Sequence, residues 1–253
     1  MPIKLRRVDP APQRVEAFEL RAGDAIIPVG LRRVAGAKRF TLRVRSATRD
    51  VMLTMPRRSS IASAREFAER HVAWIQARFG RLPKPVRFEP GAVVPVRGEG
   101  HLIVHRPDQR GAVWIESPAA ELAPPRLCVA GGAEFVARRV RDYLRREAAR
   151  ELRLAVGIHA TAIDVTVASV GVRDTTSRWG SCSAIGALNF SWRLIMAPPF
   201  VLNYLAAHEV AHRVHLDHSA RFWALTQRLA PDTDRAEAWL KAHGAELHRY
   251  GAD

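Results

Sequence analysis

The chain has 253 residues, of which 47% are hydrophobic, so it can bury the core of one large domain or of two small ones. Its two cysteines, Cys128 and Cys182, argue against a disulfide scaffold, and neither has the C-x-x-C partner of a structural zinc site. The formal net charge of +15, from 40 Lys+Arg against 25 Asp+Glu, favours a nucleic acid, a nucleotide or another polyanion as a partner.

The sequence predicts a protein that works in the cytoplasm and not in a membrane. The first seven residues lack the apolar core of a signal peptide. The longest apolar stretch, residues 194–202, is too short and too rich in proline to cross a bilayer. We therefore expect a cytoplasmic location and no membrane partner.

The first half of the chain is predicted to be rich in β-strands. Alternating apolar and polar residues indicate an antiparallel meander over residues 16–56, and a single helix with an apolar stripe follows over residues 60–80. Further short strands are predicted over residues 93–96, 101–105, 112–116 and 126–129.

A glycine pair, Gly131-Gly132, marks a predicted domain boundary. It separates a β-rich N-terminal region with one helix, residues 1–131, from a helix–sheet–helix domain, residues 132–253. The elements predicted in this second domain are a helix over 134–156, strands over 163–167, 177–184 and 187–195, and helices that start at Pro198, Ser219 and Arg235. The predicted fold class is α+β.

The most specific pattern lies at the end of the helix that starts at Pro198. Residues 208–212 read His-Glu-Val-Ala-His, an H-E-x-x-H motif. On an α-helix, positions i and i+4 lie about 40° apart around the axis, so His208 and His212 point the same way and can share one metal ion. Glu209 stands beside them, where its carboxylate can take a proton from water. Zinc hydrolases use this arrangement of ligands and base.

Three residues compete to be the third ligand, since a catalytic zinc usually has three protein ligands. On a continuous helix His215 would lie about 10 Å along the axis from His208, too far for one ion with bonds of about 2.0–2.1 Å. His218 can approach the ion if the helix ends near His215 and the chain folds back. Glu237, on the last predicted helix, is the remaining alternative. We favour His218 and expect one Zn²⁺ per chain.

Four motifs in the second half of the chain carry a family resemblance. In order they are Arg178-Trp179-Gly180-Ser181-Cys182-Ser183, Leu188-Asn189-Phe190-Ser191-Trp192-Arg193-Leu194, His208-Glu209-x-x-His212 and His218-Ser219-x-x-Phe222-Trp223. This set closely resembles the YgjP-like metal-dependent hydrolases, which are related to the SprT-like zinc metallopeptidases. The resemblance covers most of the chain. It implies a zincin-like catalytic domain made of a long helix, an antiparallel sheet whose edge faces the cleft, and the HExxH helix.

The resemblance also implies the site residues and an activity. It implies that His208, His212 and His218 are the metal ligands and that Glu209 is the catalytic base. The resulting hypothesis is a zinc metallopeptidase that hydrolyses peptide bonds in a peptide or an unfolded protein. Arg178 is a candidate for binding a substrate anion or stabilising an oxyanion, and a structural ion pair is the equal alternative.

Two other functions remain open from the sequence. The same metal site could hydrolyse a phosphoanhydride bond of a nucleotide, which would suit a cationic protein. The chain could also be a nucleic-acid-associated metalloprotease, although it contains no base-reading motif. We expect any contact with nucleic acid or another polyanion to be non-specific, and the sequence predicts no oligomeric state.

Overall fold

The structure is a computed structural model, and it describes residues 16–23, 25–45, 48–118, 120 and 123–251. The contacts divide the chain into two compact units, Met1–Leu82 and Pro83–Asp253. The α+β class predicted from the sequence is confirmed. The boundary predicted between residues 131 and 132 falls inside the second unit.

The first unit is a four-stranded sheet packed against two helices. Its elements are β1 (Ala17–Ala22), β2 (Ala25–Val34), β3 (Thr41–Arg45), β4 (Asp50–Pro56), α1 (Ile61–Arg70) and α2 (Val72–Gly80). The strand order is β1-β2-β4-β3. Alternate residues of β2 and β4, including Val29 and Leu53, are buried and pack against Ala64, Ala68 and Ile75 of the helices.

Two predictions for this unit were wrong in part. The sheet is not a simple antiparallel meander, because β2 and β4 are parallel. These two strands contribute most of the buried apolar residues, so they pair in the centre and leave the arginine-bearing β3 at an edge. The predicted single helix is broken at His71, where the backbone leaves helical geometry (φ −107°, ψ 13°).

The second unit contains a four-stranded sheet that covers one long helix. The strands are β5 (Val93–Val96), β6 (Glu99–Arg106), β7 (Val113–Glu116) and β8 (Arg126–Ala130), in the order β5-β6-β8-β7, and the helix is α3 (Val136–Ala162). Val94, Ile103 and Leu127 of the sheet share one core with Val140 and Leu144 of α3. This shared core explains why residues 83–130 belong to the same compact unit as the helix.

A small three-stranded sheet follows α3. Its strands are β9 (Ser169–Arg173), β10 (Gly180–Cys182) and β11 (Ala187–Ser191), in the order β10-β11-β9. The predicted strand over residues 163–167 was wrong, because α3 keeps burying its inner face through Ala160 and the strand begins only at Ser169. The sheet is also not fully antiparallel. β10 is antiparallel to β11, but β9 is parallel to it. β11 carries the buried Leu188 and Phe190 and lies in the middle of the sheet.

Three helices complete the second unit: α4 (Pro199–Ala211), α5 (Ala220–Leu229) and α6 (Thr233–Leu247). α4 is apolar on nearly all sides and is buried among α3, α5 and α6. A hydrogen bond of 2.9 Å joins Asn203 of α4 to His159 of α3. Among the described residues, no helix has both the length and the apolar character that crossing a bilayer requires.

Candidate metal centre

The HExxH residues lie where α4 ends. His208 and Glu209 belong to the last turn of the helix, and His212 is its C-terminal cap. Beyond the helix, the amides of Arg213 and Val214 bond to the carbonyls three residues before them, of Val210 at 2.9 Å and Ala211 at 3.0 Å, which is the pattern of a turn and not of a continuing α-helix. The chain then reverses, and α5 begins after Ser219, whose hydroxyl accepts a hydrogen bond from the Phe222 amide.

This reversal brings three imidazoles together. One ring nitrogen from each of His208, His212 and His218 lies within 4.8 Å of the other two. The Nε2 atoms of His208 and His218 are 3.2 Å apart. Two nitrogens bound tetrahedrally to one zinc ion at about 2.1 Å would be separated by about 3.4 Å, so this spacing suits a shared ion.

The other two candidates for third ligand lie outside the histidine cluster. The backbone carbonyl of His215 accepts a hydrogen bond from Nδ1 of His212 at 3.0 Å. The carboxylate of Glu237 accepts one from the Tyr204 hydroxyl at 2.8 Å. Both residues therefore stabilise the residues around the histidine cluster and are not members of the cluster.

These hydrogen bonds assign the tautomers of two histidines. Nδ1–H of His212 donates to a carbonyl, which leaves the Nε2 lone pair free. The Tyr204 hydroxyl donates to Glu237, so its oxygen accepts from Nδ1–H of His208 at 3.3 Å. Metal-binding histidines in proteins usually donate their second N–H in this way, and the partner fixes the orientation of the ring.

The surroundings also keep these rings neutral. Burial, together with the neighbouring His212 and His218, lowers the pKa of His208 to about 4. Burial also lowers the pKa of His212. An imidazole binds a metal only in its neutral form, so both rings are in the binding state at pH 7.

Aromatic side chains from α5 form one wall of the cluster. The Phe222 ring lies 4.6 Å from the ring of His212 and 4.8 Å from each of His208 and His218, measured between centroids. Trp223 lies 5.8 Å from His208 and from His218. Phe222 is completely buried, so it shields one side of the cluster from water. The His218-Ser219-x-x-Phe222-Trp223 motif thus supplies an imidazole and its packing surface from one short segment.

Glu209 is a buried carboxylate without a hydrogen-bonding partner on one oxygen. Only 4% of the residue is exposed, and Oε2 contacts no donor among the described residues. Burial raises its pKa to about 7, against a smaller opposing effect of Arg178. A β-carbon on Gly180 would lie 2.8 Å from the Glu209 carboxyl carbon. Glycine at this position of β10 therefore leaves the space that the carboxylate occupies, a role that the sequence did not reveal.

Arg178 lies on the connection between β9 and β10 and is exposed. Its guanidinium forms no hydrogen bond or ion pair with any residue that the structure describes, although its charge acts on Glu209. The connection itself is anchored. The Trp179 ring stacks on His248 with centroids 5.1 Å apart, and Asp174 accepts a hydrogen bond from Nε of the buried Arg193 at 3.0 Å. Arg178 is thus a cation without a hydrogen-bonding or ion-pair partner among the described residues, on a connection that Trp179 and Asp174 hold in place.

The α+β architecture, with three convergent imidazoles beside a buried carboxylate, is that of a metal-dependent hydrolase. The family model for the YgjP-like metallopeptidase domain matches residues 38–243, so the chain belongs to the YgjP-like family, as its motifs predicted. Membership makes it a hydrolase of metallopeptidase type that uses a metal cofactor. Neither the curated proteins nor the solved structures include a match to the chain.

Proposed function

We propose that the protein is a zinc-dependent peptidase that binds one zinc ion per chain through His208, His212 and His218 and uses Glu209 as its base. The observation that carries this proposal is the meeting of three imidazole nitrogens next to a buried carboxylate with an unpartnered oxygen. Such a carboxylate is costly to bury, and a catalytic role explains why it is retained.

The set of donors supports zinc in particular. Three imidazoles and no carboxylate make up the cluster, whereas Mg²⁺ and Ca²⁺ prefer oxygen ligands. Three protein ligands also leave one position for water or substrate, as in catalytic zinc sites. When bound, zinc supplies Lewis acidity, which lowers the pKa of water to about 7.

Two residues of the chain carry out the proton transfer and the charge stabilisation that the reaction also needs. The Glu209 carboxylate accepts the proton of the attacking water and passes it to the leaving amine. Burial, which raises the pKa of this carboxyl, helps it to hold the proton between the two transfers. Arg178, exposed and close enough to act on Glu209, holds a negative charge of the substrate or the charge that develops on its carbonyl oxygen.

The edge of the small sheet is the proposed place for a peptide. β10 pairs only with β11 among the described residues, so its other edge has backbone groups free to add a strand. Gly180 of β10 lies against the Glu209 carboxyl group. An extended peptide on this edge would therefore pass beside the base.

The test is an activity screen of purified protein whose metal content has been measured. Unfolded proteins, short peptides and nucleoside triphosphates are offered to the same preparation. We expect new amino termini from the first two substrates and no phosphate release from the third. Metal-dependent phosphate release without peptide cleavage would replace the peptidase proposal with the phosphoanhydride alternative.

The contact between Tyr204 and His208 gives a separate prediction. Replacing Tyr204 with Phe removes the oxygen that accepts from Nδ1–H of His208 and keeps the ring that packs beside it. Loss of such a partner typically weakens metal binding about 10–100-fold. We expect a loss of that order when zinc affinity is measured by competition with a chelator. Tyr250→Phe is the matched control. If the two variants bound zinc with equal affinity, the Tyr204 hydroxyl would have no role in orienting His208 for the metal.

A further inference from the structure

The first compact unit carries positive charge that its own acids do not neutralise. The acids that the structure describes in residues 16–82 are Glu16, Glu19, Asp50, Glu66 and Glu69. Three are held in ion pairs: Glu16 with Arg33, Asp50 with Arg45, and Glu66 with Arg70. The other two line a cavity together with Arg21 and Arg65. Every described acid therefore already has a cationic neighbour.

Most exposed cations of this unit have no ion pair with any described acid, and six of these lie around one end of its sheet. They are Arg32, Lys38, Arg39, Arg43, Arg57 and Arg58, and together we call them the basic end. Since the described acids of the unit are already engaged, none of them compensates the charges of the basic end, which are exposed to solvent. An uncompensated cluster of this kind attracts anions over several ångströms.

The topology of the sheet gathers these cations at one end. β2 and β4 run parallel, with Val34 opposite Pro56 where both strands end. The connection that carries Lys38 and Arg39 leaves β2 at this end, and Arg57 and Arg58 follow β4 there. Arg33, near the end of β2, holds the segment after β4 in place, because its Nη1 donates to the carbonyls of Arg57 at 3.1 Å and Ser59 at 2.6 Å.

The remaining two cations extend the basic end onto the open face of the sheet. Arg32 and Arg43 alternate with the residues that pack against the helices, so they point to the opposite, uncovered face. They lie on β2 and β3, with β4 between them. At about 4.8 Å per strand, the charges spread over about 10 Å. This is wider than a single phosphate group, so the surface fits a polymer of phosphates better than a small anion.

We propose that the basic end binds the phosphate backbone of nucleic acid without reading its sequence. Five of its six cations are arginines, whose planar guanidinium groups match phosphate oxygens in pairs. Thr54, beside Arg32 on the same face, adds a hydroxyl 3.3 Å from its guanidinium. Phe40, the aromatic neighbour of Arg39, is partly buried and stacks on Phe67 with ring centroids 5.2 Å apart, so it is not a free platform on which a base could stack.

The experiment compares two triple variants of the full chain that lose the same charge. Arg39, Arg43 and Arg58 are changed to Ala in the first, and Arg145, Arg146 and Arg153, exposed on α3, are changed to Ala in the control. Binding of a fluorescent oligothymidine of about 20 nucleotides is followed by anisotropy at several salt concentrations. We expect the first variant to lose at least about tenfold in affinity at about 50 mM salt, and the slope of log K against log salt to fall by about 2.

Two results would overturn the proposal. Equal losses in both triple variants would show that the net charge, and not the basic end, attracts the oligonucleotide. Tight binding of the unmodified chain to vesicles of anionic lipid, with weak binding to the oligonucleotide, would identify a membrane surface as the partner instead. Circular dichroism and melting temperature establish that each variant is folded, and Arg58→Glu alone should weaken oligonucleotide binding if a triple variant is unstable. Glu209→Gln should bind as the unmodified chain does, which separates this proposal from the peptidase activity.

Discussion

Glu209→Gln should keep its zinc and its fold but lose nearly all peptide hydrolysis. Gln is close to Glu in size and fits the same space beside Gly180, yet it cannot accept a proton from water. General-base catalysis contributes roughly 10²–10⁴-fold to a rate, so we expect a loss of at least that order. Because burial disfavours the charged form of Glu209, the neutral Gln should not lower the melting temperature at pH 8.

The control for this prediction is Glu246→Gln, the same chemical change at an exposed position of α6. Zinc content, melting temperature and hydrolysis rate are measured on one preparation of each variant. Loss of zinc from Glu209→Gln would make Glu209 a ligand. A variant with normal zinc and a near-normal rate would remove Glu209 from the mechanism.

His218→Ala should lose zinc almost completely. His218 is the one member of the histidine cluster outside the HExxH motif, and its Nε2 lies 3.2 Å from that of His208. Removing a direct ligand should weaken binding by more than the roughly 10–100-fold that an outer partner costs. Elemental analysis of purified variants after dialysis gives the measurement.

His215→Ala and Glu237→Ala are the matched controls for the third ligand. His215 contributes only a backbone carbonyl to the site, which alanine keeps, and Glu237 contacts the cluster through Tyr204. We expect near-normal zinc in His215→Ala and a partial loss of affinity in Glu237→Ala. If His218→Ala retained its zinc while either control lost it, the assignment of the third ligand would be wrong.

The candidate site could be predicted from the sequence because its residues are close in the chain. His208 and His212 are one helical turn apart, and the i, i+4 spacing alone places them on one face. The position of His218 depended on where the helix ends. The structure shows that α4 ends at Ala211, earlier than the expected end near His215, and that the chain then turns back.

The supporting contacts could not be predicted, because they join residues that are distant in sequence. Tyr204 and Glu237 are on different helices, and nothing in the local pattern of α6 marks Glu237 as a partner of a tyrosine. The space that Gly180 leaves for Glu209 likewise depends on how β10 packs on α4. Both features arise only when the elements assemble.

The order of the strands was the least predictable part of the fold. Alternating residues in β2 and β4 indicate strands with one buried face, but alternation is the same for parallel and antiparallel neighbours. The parallel pairs β2–β4 and β9–β11 therefore had no local signal. The end of α3 was missed for a related reason, since residues 163–167 are apolar enough to suit either a strand or a loop packed under the helix.

The most direct test of the peptidase proposal is zinc reconstitution of the chelated protein. Cleavage of an unfolded protein is followed by the appearance of new amino termini, before and after one equivalent of zinc is added. We expect no cleavage by the metal-free protein, full recovery at one zinc per chain, and no recovery for Glu209→Gln. Cleavage that persists without metal, or that zinc fails to restore in a folded protein, would contradict a zinc peptidase at His208, His212 and His218.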